Sequence, residues 1–169
     1  MNSEIERFIR VDHAGEYGAA RIYAGQLAVL GRGPHAGTLE HMQAQEQRHL
    51  DIFSGLIATR RVRPTALLPF WHIAGFALGA ATAALGSRAA MACTVAVEEV
   101  IDAHYAAQEA VLGEDEAPLR ATIAEFRAEE LEHRDIGLAN GAEQAPAYRL
   151  LTALVKTGCR AAIKISERV

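Results

Sequence analysis

Two stretches, Glu46-Gln47-Arg48-His49 and Glu130-Leu131-Glu132-His133, each place a carboxylate and an imidazole three residues apart. On an α-helix that spacing aims both groups at one point. Each stretch follows a lone glutamate: Glu16 precedes Glu46 by 30 residues and Glu98 precedes Glu130 by 32. Such an interval holds one helix, a turn and half of the next helix, so the chain reads as two helical hairpins that donate three ligands each. With 16 Glu and 7 His in 169 residues, chance supplies about 0.7 Glu-x-x-His matches, and either pair alone would decide little. The repeat of both pairs behind two lone glutamates is what points to a carboxylate-bridged two-metal site.

The helix faces support this. Winding the chain as helices puts Ile9, Glu16, Tyr23, Leu27 and Leu30 on one stripe, and Met42, Glu46, His49, Phe53 and Ile57 on the next. The same holds for Met91, Val95, Glu98 and Tyr105, and for Ile123, Phe126, Glu130 and His133. The six candidate ligands therefore lie in apolar core stripes, where a bare glutamate is rarely found. Four carboxylates meeting there without a cation would repel by about 3 kcal/mol per pair, at roughly 5 Å and an effective dielectric near 20, and desolvation adds to that. Two divalent cations cancel the four charges, and a mixed oxygen and imidazole set suits iron or manganese.

Composition bounds the rest. A chain of 169 residues, half of them apolar, supports one domain spanning residues 1–169 with a substantial core. A formal charge of −4 gives no reason to expect nucleic acid as a partner. Cys93 and Cys159 form no Cys-x-x-Cys motif, so they are expected to pack as small apolar residues rather than bind zinc or form a disulfide framework. Met1-Asn2-Ser3-Glu4 has neither a secretory nor a transit pattern, so the chain is expected to begin with its folded region.

Helical periodicity runs from about residue 4, after a capping box at Ser3 and Glu6, to Leu30, where Gly31-Arg32-Gly33-Pro34 stops it. A second helix is predicted to about Thr59. Arg60, Arg61, Arg63 and Pro64 form a basic connector, and an Ala/Gly/Leu-rich third helix follows over residues 66–86. A fourth reaches about Leu112, a fifth covers about residues 118–139, and a sixth about 146–168. The expected fold is all-α: a ferritin-like four-helix bundle made by the first, second, fourth and fifth helices, with a hydrophobic crossover helix and an additional C-terminal helix. The crossover helix has three readings. It could span a bilayer, pack in the core through Gly75 and Gly79, or lie on the surface with a greasy face that meets a membrane or lines an entry for an apolar substrate. We favour the last, because Arg60, Arg61 and Arg63 would meet anionic headgroups at about 1 kcal/mol each. On the last helix, Lys156, Arg160, Lys164 and Arg168 recur at four-residue intervals. That stripe is either a solvated face or a seat for an anion such as a dinucleotide phosphate or lipid headgroup.

Three segments resemble one family in particular. Asp12-His13-Ala14-Gly15-Glu16-Tyr17-Gly18-Ala19, the run from Ala92 to Glu99, and the run from Glu129 to Leu138 are similar to the demethoxyubiquinone hydroxylases of ubiquinone biosynthesis, and the tail from Gly158 to Arg168 matches too. The resemblance covers essentially the whole chain. It implies a membrane-associated monooxygenase that uses two carboxylate-bridged iron ions to insert one atom of dioxygen into the ring of a polyprenylated quinone, the other leaving as water. It also implies NADH or reduced quinone as electron source, Arg160 and Arg168 near the entry of reductant or quinone, and a peripheral site on the bacterial inner membrane (cytoplasmic face) or mitochondrial inner membrane (matrix face). A lipid-presenting partner protein of the ubiquinone-biosynthesis complex and a homo-oligomer fit the same picture. Lys164 departs from it, standing where some relatives carry an aromatic residue.

Within the site, Glu46 and Glu130 are expected to bridge, with Glu16 and His49 completing one metal and Glu98 and His133 the other. Tyr105, seven residues after Glu98, is a candidate to hydrogen bond a ligand or the substrate, with plain core packing as the alternative. Asp12, one turn before Glu16, is a candidate to orient a ligand histidine through its second nitrogen, or else a helix-surface residue. His104 falls off the ligand face. The competing functions are an iron-oxidising or peroxide-reducing ferritin-like protein, a transfer-RNA hydroxylase, and a non-enzymatic membrane adaptor whose metal is structural.

Overall fold

The computed structural model describes residues 3–169; Met1 and Asn2, at the start of the amino terminus, lie outside the described residues. Six α-helices account for the fold: α1 (Ser3–Leu30), α2 (Ala36–Thr59), α3 (Leu68–Ala84), α4 (Ser87–Glu109), α5 (Ala117–Ala139) and α6 (Tyr148–Ser166). Two short 3-10 turns, Glu114–Glu116 and Ala142–Gln144, precede α5 and α6. No strand occurs among the described residues.

Local chemistry sets where the helices start and stop. Prolines near the first turns of α3 and α5 suit positions whose N–H has no intrahelical acceptor. The end of α2 is a Schellman turn built on a non-glycine residue. Arg61 adopts φ 55°, its N–H reaches the carbonyl of Ala58 at 3.3 Å, and the N–H of Val62 reaches that of Ile57 at 3.0 Å. Val62 then drops into the core beside Phe53 and Leu119, which fixes the course of the basic connector.

Helices α1, α2, α4 and α5 form the ferritin-like bundle, with α1 on α2 and α4 on α5 as the two hairpins. Its core has two apolar layers. One gathers Ile9, Phe53, Tyr105, Ile123 and Phe126; the other gathers Tyr23, Leu39, Met42, Met91 and Val95. The ligand candidates fall between them along every helix, so water is kept from both sides of that level. A third cluster, around Ile22, Cys93, Val97 and Val155, joins α6 to the bundle. Cys93 and Cys159 are both free thiols.

The crossover helix has two faces. Gly75, Gly79, Thr82 and Ala83 are buried, and the glycines let its backbone lie directly on α1: a Cβ at Gly75 would sit 2.8 Å from the Gly18 carbonyl oxygen, and one at Gly79 would overlap the carbonyl of Ile22. On the other face Phe70 and Ile73 are 59% and 71% exposed. Close packing and a greasy outer face, two of the three possibilities for this segment, therefore coexist in one helix. No described helix is long and apolar enough to cross a membrane.

Candidate metal centre

Each ligand candidate comes from the middle of a helix, where the flanking turns fix its side chain. Glu16, Glu46, His49, Glu98, Glu130 and His133 are all 1% exposed or less. The structure brings them into two groups: Glu16, Glu46, His49 and Glu130, and Glu46, Glu98, Glu130 and His133. Within each group one donor atom per residue lies within 4.8 Å of every other. Glu46 and Glu130 belong to both, and their oxygens divide between the two histidines. Nδ1 of His49 lies 3.2 Å from Oε1 of Glu130 and 3.9 Å from Oε2 of Glu46, whereas Nδ1 of His133 lies 3.5 Å from Oε2 of Glu130 and 3.1 Å from Oε1 of Glu46.

Eight buried atoms that face one another here have no hydrogen-bond partner: both oxygens of Glu46 and of Glu130, Oε2 of Glu16 and of Glu98, and Nδ1 of His49 and of His133. Buried polar atoms are normally satisfied, so eight together in one level fit a pair of cations. Protonation shows the same strain. Burial pushes Glu46 and Glu98 well above the usual carboxylate range, and neighbouring carboxylates push them further. Burial resists a charge on His49, but Glu130 and Glu16 outweigh it and raise the imidazole to about 11. Burial likewise opposes ionising Glu130, yet the imidazoles of His133 and His49 hold it down at about 2. Without a cation, protons do the neutralising. Metal loading is therefore expected to expel protons from Glu46, Glu98 and His49 and to tighten as pH rises; calorimetry in buffers of different ionisation enthalpy measures that release, and binding without proton release would contradict it.

The clasps around this level all cross from one hairpin to the other. Tyr105 donates its hydroxyl to Oε1 of Glu16, and Tyr23 donates to Oε1 of Glu98 at 2.8 Å. Burial raises both phenols well above their ordinary range, so they stay donors. The outer nitrogens of the histidines are held by residues that the sequence pattern did not single out: Nε2 of His49 meets Oε2 of Glu129 at 2.7 Å and Nε2 of His133 meets Oε1 of Gln45 at 2.9 Å. Asp12, expected to orient a ligand histidine, does not reach one. Its Oδ1 instead takes Nε2 of Gln108 at 2.7 Å and Nε2 of His104 at 3.2 Å, because one turn before Glu16 its side chain meets α4 rather than α2 or α5. Arg160 on α6 and Arg168, two residues past its end, are exposed, whereas Lys156 of the same stripe is ion-paired with Glu99.

One half of the centre opens onto an apolar cavity of about 540 Å³, floored by α1 and α4 and walled by α3 and α6, which stand apart from each other. Trp71, Leu78, Leu151 and Ile163 supply apolar wall, and Asp12, Glu16, His104 and Tyr105 are its polar lining on the side of the ligand candidates. Glu98 and His133 do not line it.

Residues 3–166 match the family described as "Ubiquinone biosynthesis protein COQ7". The chain belongs to that family. It is 63% identical over 166 residues to a "3-demethoxyubiquinol 3-hydroxylase" of Rhodospirillum rubrum, covering 98% of this chain and 78% of that protein. It is 55% identical over 169 residues to the human "NADPH-dependent 3-demethoxyubiquinone 3-hydroxylase, mitochondrial", with 98% and 78% covered. The "5-demethoxyubiquinone hydroxylase, mitochondrial" of Saccharomyces cerevisiae is 43% identical over 182 residues, again with 98% and 78% covered. The family resemblance drawn from the segments around Glu16, Glu98 and Glu130 is thus shown by the whole chain.

Of the residues that the pattern did not single out, Tyr23 had a signal: it follows Glu16 by seven positions as Tyr105 follows Glu98. Gln45 and Glu129 also had one, since each immediately precedes the glutamate of a Glu-x-x-His pair.

Proposed function

We propose that this COQ7-family chain is a di-iron monooxygenase that hydroxylates the ring of a polyprenylated demethoxyubiquinone or demethoxyubiquinol in ubiquinone biosynthesis. The observation that carries the reading is the level of eight unpartnered donor atoms, divided between two groups that share Glu46 and Glu130, with a greasy cavity leading to one of them. Glu16 and His49 would complete one iron and Glu98 and His133 the other. When bound, the irons supply the two-electron chemistry by which one oxygen atom enters the ring and the second leaves as water.

The chain's own residues do the rest. The apolar walls take the prenyl tail and lay the ring against Glu16. Tyr105, which also packs in the apolar core against Phe53, fixes the rotamer of Glu16 and keeps a proton within reach of the reacting edge. The apolar layers above and below the ligands exclude water, which protects reactive states from quenching. Asp12 and His104, with Gln108 hydrogen-bonded behind them, form a polar contact at the cavity wall suited to a ring oxygen. Arg160 and Arg168 stand beside wall residues Cys159, Ile163 and Ser166, where an anionic reductant would approach. We take NADH as that reductant, although the human relative's name specifies NADPH, and supplying each in turn decides between them.

The cavity lies beneath an exposed apolar rim. Phe70 and Ile73 on α3, and Leu150 and Leu154 on α6, are each 59% exposed or more, and we read this rim as the surface that meets the inner membrane. The names of the human and yeast relatives include "mitochondrial"; we take the matrix face for a chain of that organelle and the cytoplasmic face for a bacterial one. The arginines of the connector are not equivalent, contrary to the expectation from sequence. Arg60 is ion-paired with Glu116 at 2.6 Å, whereas Arg61 and Arg63 are exposed. Changing Phe70 and Ile73 to serine is expected to weaken binding to anionic vesicles by about tenfold or more with helicity kept, from the lost burial of two large apolar side chains. Changing Arg61 and Arg63 should cost about 1 kcal/mol each, and changing Arg60 less. Vesicle flotation measures all three, and unchanged flotation of the serine variant would contradict the docking rim. A lipid-presenting partner protein or a second copy of the chain would compete for the same rim.

The decisive test is anaerobic loading with iron, followed by air and a demethoxyquinol, with mass detection of a gain of about 16 Da, one oxygen atom. A chain that takes up two irons and leaves the quinol unchanged would contradict the proposal.

A further inference from the structure

The two halves of the centre match position by position except at one pair of residues. Tyr105 and Tyr23 play the same part toward Glu16 and Glu98, and Glu46 and Glu130 are shared. The outer nitrogens of the histidines differ: His49 faces a carboxylate, Glu129, and His133 faces an amide, Gln45. The difference runs one residue deeper. Inside the first Glu-x-x-His pair stands Arg48, which grips Oε1 of Glu129 at 2.5 Å and Glu125 at 2.9 Å, so Glu129 is held as an anion with Oε2 turned to His49. The corresponding residue of the second pair is Glu132, which has no positive charge to offer Gln45.

The direction of the effect follows from hydrogen-bond chemistry. With Nδ1 of each histidine turned to the carboxylates, Nε2 carries the proton and donates outward. A charged acceptor draws on that proton more strongly than an amide oxygen, which leaves more electron density on Nδ1 of His49 than on Nδ1 of His133. Partners of this kind alter metal affinity by about 10–100-fold. The half that His49 serves is also the one whose Glu16 lines the cavity.

We propose that Glu129 makes the two metal positions unequal: the one held by Glu16 and His49, on the cavity side, is the tighter and fills first, and the one held by Glu98 and His133 fills second. Glu129 and Gln45 are positioning residues that act through the histidines. The inference rests on the reading of this level as a two-metal centre, and the experiment separates the two claims.

Cobalt(II), which reports its own binding by visible absorption and does not consume dioxygen, is titrated into the full chain freed of metal by chelation. Two steps of one ion each are expected, with dissociation constants separated by about 10–100-fold. E129Q, which keeps the hydrogen bond and removes the charge, should weaken the tight step until the two merge. Q45E should strengthen the weak step and merge them from the other side. E16Q should remove the tight step and E98Q the weak one. Should E129Q fail to fold, Q45E tests the same inequality by itself, and circular dichroism of each variant establishes which is the case. Two ions bound with equal affinity, or a separation that E129Q and Q45E leave unchanged, would overturn the inequality alone. A wild-type chain that binds no cobalt would overturn the metal centre and the inequality with it.

Discussion

Glutamine at position 130 is expected to abolish hydroxylation and to destabilise the metal-free protein, whereas glutamine at position 46 should abolish hydroxylation and leave the metal-free protein nearly as stable as the wild type. Both substitutions disrupt a carboxylate that, in the proposed centre, would serve both metal positions, and a loss of at least about a hundredfold is expected for such a bridge when even the residues behind a ligand account for 10–100-fold. Their effects on stability differ because the two carboxyls are in opposite states without metal. Glu46 is held neutral by burial and by the charges of Glu130 and Glu16, so an amide of the same shape replaces a neutral acid. Glu130 is ionised between two imidazoles despite its burial, at about 2 against an ordinary 4.5. Removing that charge forfeits charge-assisted contacts worth about 2 kcal/mol. The sign with pH follows: Glu130 stabilises the fold above about pH 4.5 and the contribution is lost as pH falls toward 2, so the gap between wild type and E130Q should close on acidification. Urea unfolding of chelated protein at several pH values, beside the hydroxylation assay, reads both effects. Equal stability losses for the two variants would contradict the assignment of charge.

Alanine at position 79 should be the most damaging single-methyl change in the molecule. A Cβ there would overlap the carbonyl of Ile22 and come within 2.8 Å of its carbon; both are helix backbone, which cannot give way. The helix-propensity gain of about 1 kcal/mol for replacing glycine is small against the cost of levering α3 off α1, which we put at about 3 kcal/mol net. Gly75→Ala meets one backbone oxygen at 2.8 Å and the flexible Arg21 side chain at 3.0 Å, and should cost about 1 kcal/mol. Urea midpoints would establish the order. Because α3 is one wall of the cavity, Gly79→Ala should also weaken quinone binding in the fraction that remains folded. A variant as stable as the wild type would mean that α3 does not rest on α1 as described.

The residues that could be read in advance were those whose placement is periodic. Glu16, Glu46, His49, Glu98, Glu130 and His133 declared themselves as one buried cluster because polar groups that meet inside a helix bundle must share a stripe with apolar residues, and such stripes can be counted in a single sequence. The six helices were legible for the same reason, down to the stop at Gly31, although the crossover helix begins at Leu68, two residues past the expected Ala66. What stayed hidden depends on which helix faces which. Asp12 lies a turn from Glu16, yet its partner is set by how α1 is rotated against α4. Glu129 and Gln45 reach histidines 80 and 88 residues away, a distance over which no local pattern speaks. Arg60 looks like its neighbours Arg61 and Arg63 until the turn at Val62 directs it to Glu116.

Every clasp on the ligand level links one hairpin to the other: α4 to α1 through Tyr105 and Glu16, α1 to α4 through Tyr23 and Glu98, and α2 to α5 through the two outer histidine contacts. A nascent chain that has made only its first hairpin thus owns three donor side chains and none of the braces that aim them. In the proposed two-metal reading, ion capture would wait for the second hairpin to dock, so premature chelation by a half-formed chain would be disfavoured and uptake would become a report that assembly is finished.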